Sequence, residues 1–206
     1  KIAVIYGADA VYFGGEAFSL RAGAGNFSVD EMAEGVAFAH KRGCRCYMTL
    51  NIYAHNEDIE PLEAYLNEIK EIPVDAFLIS DPGVLSVVKR NMPNAELHLS
   101  TQANMTNYMC ARFWYDIGVR RLVTARELSI YEIAELSEKI PHDMTLEAFV
   151  HGAMCISYSG RCLLSNVMTG RDANRGMCAH PCRYQYAVME EKRPGQYYRV
   201  EEDTRG

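Results

Sequence analysis

No apolar run in this 206-residue chain approaches the ~18 residues of a membrane span, because charged side chains interrupt every one. There is no excess of positive charge either. Lys and Arg number 21 against 27 Asp and Glu, a net charge of −6, which excludes a protein coated in basic surface for nucleic acid. Internal repeats and low-complexity tracts are missing too. No secretory signal is visible, although the chain begins at Lys1 and stops at Gly206 after a polar run, and both ends read as cut. What is there is ordinary in bulk: 49% hydrophobic and 23% charged, a composition that folds. The length suits one domain with a real core, or most of one if the ends are cut. Two features are uneven. Residues 1–154 carry 13 basic and 21 acidic side chains, whereas 155–206 carry 8 and 6. Four of the seven cysteines (Cys155, Cys162, Cys178 and Cys182) fall within 28 residues. So many thiols without a small secreted frame point to a reducing compartment, and the expected location is the cytoplasm.

Residues 1–152 alternate short β-rich runs with helical patterns. Strands are expected at 9–14, 45–51, 75–80, 96–100, 120–124 and 145–151, each short and rich in branched or aromatic residues. Helices between them have legible ends. Ser28-Val-Asp-Glu31 and Ser129-Ile-Tyr-Glu132 are capping boxes, Asp81-Pro82 is an N-cap before a first-turn proline, and Gly43 and Gly118 are stops. Apolar Ile59, Leu62, Leu66 and Ile69 mark one buried face of a helix over 57–72, and another helix is expected over 103–117. Lys1–Gly7 reads as the tail of a helix, which implies a strand before it. The βα spacing predicts a parallel sheet, closed either as an open doubly wound sheet or as an incomplete (β/α) TIM-like barrel. Polar residues end nearly every strand: Asn51, Ser80-Asp81, Ser100-Thr101-Gln102, Thr124 with Arg126-Glu127, and His151. A barrel draws its chemistry from many strand ends, whereas an open sheet uses its switch point, so the barrel is preferred.

The rhythm breaks at 153–206, expected to be an irregular cysteine-rich segment followed by the start of a β-rich element, with Pro194-Gly195 as a turn. Its pattern is Cys155-x6-Cys162-x15-Cys178-x3-Cys182. Disulfides, structural zinc and an iron–sulfur cluster are the three readings. Nothing suggests secretion, and zinc prefers two to four residues between paired cysteines, so x6 fits it poorly. A cluster is a larger object and tolerates the irregular spacing best.

The stretch Glu147-Ala-Phe-Val-His-Gly-Ala-Met-Cys155-Ile-Ser-Tyr-Ser-Gly160-Arg-Cys162-Leu-Leu-Ser165 closely resembles the signature of the collagenase-like peptidases, peptidase family U32. Asn174-Arg-Gly-Met-Cys178-Ala-His-Pro-Cys182-Arg-Tyr, Gly7-Ala-Asp-Ala-Val-Tyr-Phe-Gly-Gly15 and Ser100-Thr-Gln-Ala-Asn104 carry the same likeness, which covers essentially the whole chain. The family name implies proteolysis, and Cys155 with His151 can be drawn as a cysteine protease pair. Yet there is no Gly-x-Ser-x-Gly elbow and no His-Glu-x-x-His zinc helix. The likeness is strongest to the branch that makes 5-hydroxyuridine in tRNA. It implies an oxygen-independent hydroxylase with a four-iron four-sulfur cluster on Cys155, Cys162, Cys178 and Cys182, and prephenate as hydroxyl donor. Zinc on the same cysteines, as the staple of a non-catalytic binding module, and a peptidase are the competing implications.

Candidate substrate contacts follow. Arg161, Arg171, Arg175 and Arg183 face a single acid, Asp172, between residues 155 and 189. They either grip phosphate or a dicarboxylate bidentately or neutralise the charge of a thiolate-bound cluster. Tyr158 and Tyr184 are candidates for base stacking, with plain packing as the alternative. On the strand-exit rim, Arg21, Gln102, Glu127, Glu147 and His151 are candidates for substrate binding or proton transfer, His151 foremost as acid/base. A carboxylate inside a barrel such as Glu147 needs a partner, which an arginine would supply without catalysis. Cys44, Cys46 and Cys110 read as core thiols, His40 and His55 as surface or loop residues, and Gly23–Ser28 as only half of a dinucleotide loop.

Overall fold

Short runs rich in branched and aromatic residues settle six strands, and the computed structural model describes residues 1–20, 26–152, 154–158 and 161–200. A short helix α1 (Ile2–Ile5) leads into β1 (Ala10–Phe13). Then come α2 (Val29–His40), β2 (Arg45–Leu50), α3 (Asn56–Ile69), β3 (Ala76–Ile79), α4 (Pro82–Asn91) and β4 (Leu97–Leu99). After them α5 (Tyr108–Asp116), β5 (Val119–Val123), α6 (Ile130–Lys139) and β6 (Thr145–Glu147) complete the βα rhythm. The expected capping boxes form at Ser28 with Glu31 and at Ser129 with Glu132, and Asp81 accepts from the Val84 N–H at the head of α4. Gly43 and Gly118 take the left-handed backbone that closes α2 and α5 (φ 71° and 104°).

All six strands pair in parallel, in chain order β1-β2-β3-β4-β5-β6. Side chains alternate across the sheet. Met48, Leu50, Phe77, Ile79, Leu97, Leu99 and Leu122 point to the helices and are almost fully buried against Met32, Leu62, Leu66, Val88 and Trp114. Each such side chain contributes roughly 1.5–3 kcal/mol of apolar burial. The other face carries Tyr12, Tyr47, Thr49, His98, Arg121 and Glu147. There the Tyr12 hydroxyl of β1 donates to the Glu147 carboxylate of β6. In a flat sheet five interstrand steps would part those strands by roughly 24 Å. The contact requires a curl, so the chain forms a half-barrel rather than an open doubly wound sheet.

Two boundaries differ from expectation. The helix expected over 103–117 starts late: Thr101–Ala103 is a 3-10 turn, Asn104 has left-handed φ (58°), and Asn107 accepts from the Cys110 N–H to begin α5. The strand expected over 145–151 stops at Glu147, where Thr124 N–H makes the last bond across to β5; Phe149, Val150 and His151 are exposed. Beyond it come a short helix α7 (Leu164–Thr169), two 3-10 turns at Ala173–Arg175 and Pro181–Arg183, and an antiparallel pair β7 (Ala187–Met189) and β8 (Tyr197–Arg199) with Gly195 in the turn. No helix among the described residues is long and apolar enough to cross a membrane.

Candidate active site at the strand exits

The loops leaving the strands are laced to one another by short polar side chains. Asn51, after β2, accepts from the Leu20 N–H (3.3 Å) and donates to Ser100 Oγ after β4 (3.2 Å). Ser80 Oγ donates to the Asn51 carbonyl (3.2 Å), and Thr101 Oγ1 to that of Thr124 (3.1 Å). After β1 the chain passes so close to its neighbours that a Cβ on Gly14 would lie 2.4 Å from Ser19 Oγ, and one on Gly15 1.7 Å from Tyr65 Oη. Those two glycines let the first exit loop fold down onto the rim.

The cysteine-rich segment docks on this same end. Tyr53 N–H donates to the Asn174 carbonyl (3.1 Å). The Arg161 guanidinium donates to the Gln102 carbonyl through Nε (3.3 Å) and Nη2 (3.2 Å) and lies over the Tyr53 ring. Arg175 grips Asp58, in the first turn of α3, with two bonds of 2.7 Å. That guanidinium holds the Asp58 carboxyl below the usual range. Between rim and segment lies a small cleft walled by Asn51, Tyr53, Ser80, Gln102, Arg161 and Asn174.

Within the segment, Asn174 clamps Cys162: its Oδ1 accepts from the Cys162 N–H and its Nδ2 donates to the Cys162 carbonyl, both at 3.1 Å. Arg171 donates to the carbonyls of Met177 (3.0 Å) and Cys178 (3.4 Å). Cys178 Sγ accepts from the His180 N–H at 3.3 Å. All seven thiols are free. Cys155, Cys162 and Cys178 are partly accessible and Cys182 is exposed, while Cys44 and Cys46 are buried in the core. Burial pushes the Cys46 thiol up to about 11 and raises Cys110 as well. Among the described residues no three His, Cys, Asp or Glu side chains gather as a single bound ion requires. The donor chemistry of four free, accessible thiols nonetheless suits an iron–sulfur cluster.

The remaining candidates scatter. Glu147 sits on the concave face, where it has both the Tyr12 hydroxyl and Arg121 (Nη1 3.8 Å away). Burial, then the Glu147 hydrogen bond, raises the Tyr12 phenol far above its ordinary value. Arg121 also donates to Thr145 Oγ1 (3.0 Å) and Tyr47 Oη (3.1 Å). His98, fully buried against Tyr47, is bonded to Glu96 (2.7 Å); burial lowers its pKa, and the Glu96 bond opposes that shift. Tyr12, Tyr47, His98 and Arg121 are the polar residues that pattern reading passed over. The signal was present: Arg121 and His98 interrupt apolar strands that otherwise carry Leu and Val. His151, Glu127 and Arg183 are exposed, the last two on the exit loop of β5 and on the turn at 181–183. Arg21 lies outside the described residues. Tyr158 and Tyr184 are exposed, Tyr184 beside Tyr186.

A parallel (β/α) half-barrel whose strand exits carry a docked four-cysteine segment defines a class. The family model described as Peptidase family U32 matches residues 1–206, so the chain belongs to that family. It is 50% identical over 190 residues to "tRNA hydroxylation protein P1" of Bacillus subtilis (strain 168), covering 92% of this chain and 44% of the relative. It is 39% identical over 190 residues to "23S rRNA 5-hydroxycytidine C2501 synthase" of Escherichia coli (strain K12), covering 92% and 28%. To "Collagenase" of Porphyromonas gingivalis (strain ATCC BAA-308 / W83) it is 33% identical over 198 residues, covering 91% and 47%. The chain thus spans less than half the length of these relatives. The fold matches "The Structure of the U32 Peptidase Mk0906" with a TM-score of 0.56 at 14% identity, covering 69% of this chain and 60% of that one.

Proposed function

We propose that this protein takes part in oxygen-independent hydroxylation of a pyrimidine in RNA, with a tRNA uridine as substrate and prephenate as hydroxyl donor, in the cytoplasm. The observation that carries the reading is the set of four free thiols on a segment seated over the strand exits, where a barrel places its chemistry. The names of two relatives, one for tRNA and one for rRNA, support RNA as the substrate class. In this reading Cys155, Cys162, Cys178 and Cys182 hold a four-iron four-sulfur cluster. When bound, that group supplies one-electron redox chemistry and an iron that polarises oxygen ligands. Since the four sulfurs are not gathered at one point, holding the cluster includes assembling its ligands.

The chain's own residues do the rest. Asn174 holds Cys162 by both backbone groups, and Arg171 holds the Met177–Cys178 backbone. Arg161, Arg171 and Arg175 are committed to bonds within the chain, which leaves Arg183, exposed on the turn at 181–183, as the candidate of the four for RNA phosphate. His151, exposed beyond β6, is the residue proposed to take or give a proton at its imidazole. The test is anaerobic purification with iron and sulfide analysis. About four of each per chain are expected, lost in Cys155→Ser and Cys178→Ser. A colourless protein with one zinc and no sulfide after anaerobic reconstitution overturns the reading. So does peptide cleavage that survives both substitutions together, which would favour the proteolysis that the collagenase relative's name describes.

A further inference from the structure

Arg126, in the loop leaving β5, is anomalous. Its Nε and Nη2 are shielded from solvent and have no hydrogen-bond partner. These two N–H groups form one edge of the guanidinium, the edge that matches a carboxylate or phosphate with two parallel bonds. In the neighbouring exit loop the Asn104 side-chain oxygen is likewise buried and unbonded. The two loops are joined directly, by Ala125 N–H to the Met105 carbonyl (3.4 Å) and by Thr101 Oγ1 to the Thr124 carbonyl. Three of the four orphaned buried side-chain atoms among the described residues therefore lie in two adjacent loops on the strand-exit face; the fourth, His98 Nδ1, is in the interior. Arg126 as a whole is partly exposed, but two donors shielded from water without a partner cost stability, so a chain that retains them has another use for that edge. The arginines around the cysteines do not offer this edge, since Arg161, Arg171 and Arg175 are bonded within the chain.

We propose that Arg126 is the anion-recognition residue of this site and takes the carboxylate of a small organic acid on its Nε/Nη2 edge, with Asn104 meeting a second polar group of the same molecule. The assignment rests on the reading of the strand exits as the reaction site and deepens it. A small carboxylate is favoured over an RNA phosphate because the guanidinium edge is buried, where a polymer backbone does not reach.

Malonate is the probe, titrated into the full chain at constant ionic strength, with the Arg126 Nε–Hε NMR resonance and the melting temperature as readouts. Malonate is expected to shift that resonance and raise the melting temperature. Arg126→Lys, which keeps the charge and loses the fork, is expected to weaken the response at least roughly tenfold. Arg126→Met is expected to melt higher than the parent without malonate and to be insensitive to it. A less stable Arg126→Met chain would show that the guanidinium has a structural partner, and a malonate response unchanged in both variants would place the anion elsewhere. Either overturns the proposal. So does a resonance that moves with inorganic phosphate or a uridine oligonucleotide and not with malonate. Iron and sulfide analysis of the same protein reads the proposed function separately. Malonate binding without a cluster would sink the hydroxylase alone, and a cluster without malonate binding would sink the role of Arg126 alone.

Discussion

The seven thiols sort by surroundings rather than by chemistry. Cys44 and Cys46 are each 2% exposed, and burial, with the nearby Asp75 carboxylate adding, raises both thiols. Cys155, Cys162, Cys178 and Cys182 sit where solvent reaches them. In the cluster-free protein a disulfide reagent at neutral pH should therefore modify those four under native conditions, and a bound cluster should protect them. Cys110, half-buried beside Trp114, should follow slowly, and Cys44 and Cys46 should react only in denaturant. Single serine substitutions at the four positions should each remove one fast-reacting thiol, and a fast phase containing Cys46 would contradict the burial. Glu147 illustrates the same dependence on surroundings. The sequence marks it as an inward carboxylate in need of a partner, and the partners are Tyr12, on the strand farthest from it in the sheet, and Arg121.

At the scale of elements, the close passage after β1 depends on two missing side chains. Gly15→Ala would drive a methyl into the Tyr65 hydroxyl, since a Cβ there lies 1.7 Å from Tyr65 Oη and 3.0 Å from Cζ. Overpacking of this kind costs roughly 1–3 kcal/mol. The variant should melt several degrees lower, and Tyr65→Phe should restore part of the loss by removing the nearest atom. No recovery in the double variant would mean that the backbone at Gly15, not the space above it, sets the requirement. The late start of α5 is a lesson of the same kind. Periodicity ran the helix back to 103, but Asn107 offers a better N-cap, and Asn104 tolerates the left-handed turn that separates the two pieces.

For the whole molecule, what matters is how the cysteine-rich segment is held on the barrel end. The Asp58–Arg175 pair joins them with two charge-assisted bonds on a carboxylate only 10% exposed. Asp58→Asn should cost roughly 1.5–3 kcal/mol, and should speed amide hydrogen exchange around Asn174 and Cys162 more than in the strands. The folded Asp58 carboxyl titrates below its ordinary value, so its contribution is complete above the unfolded carboxylate pKa and disappears as pH falls through the depressed folded one. The stability gap between parent and variant should thus be constant above about pH 5 and close below about pH 4. A gap that persists undiminished in acid would assign the effect to packing instead.

By itself the sequence determined the six strands and five connecting helices, their caps, the irregular four-cysteine segment and the family, because each is written in local spacing: short apolar runs, the 3.6 period, capping boxes, a cysteine pattern. Three things were decided only by the tertiary structure. One is the pairing of Tyr12 with Glu147 between the first and sixth strands of the expected barrel. The second is the consumption of Arg161, Arg171 and Arg175 by bonds within the chain. The third is the stranding of Arg126 with a buried, unpaired edge. Each depends on which distant groups meet, and hydrogen-bond satisfaction is a property of neighbours in space that no local pattern of residues encodes.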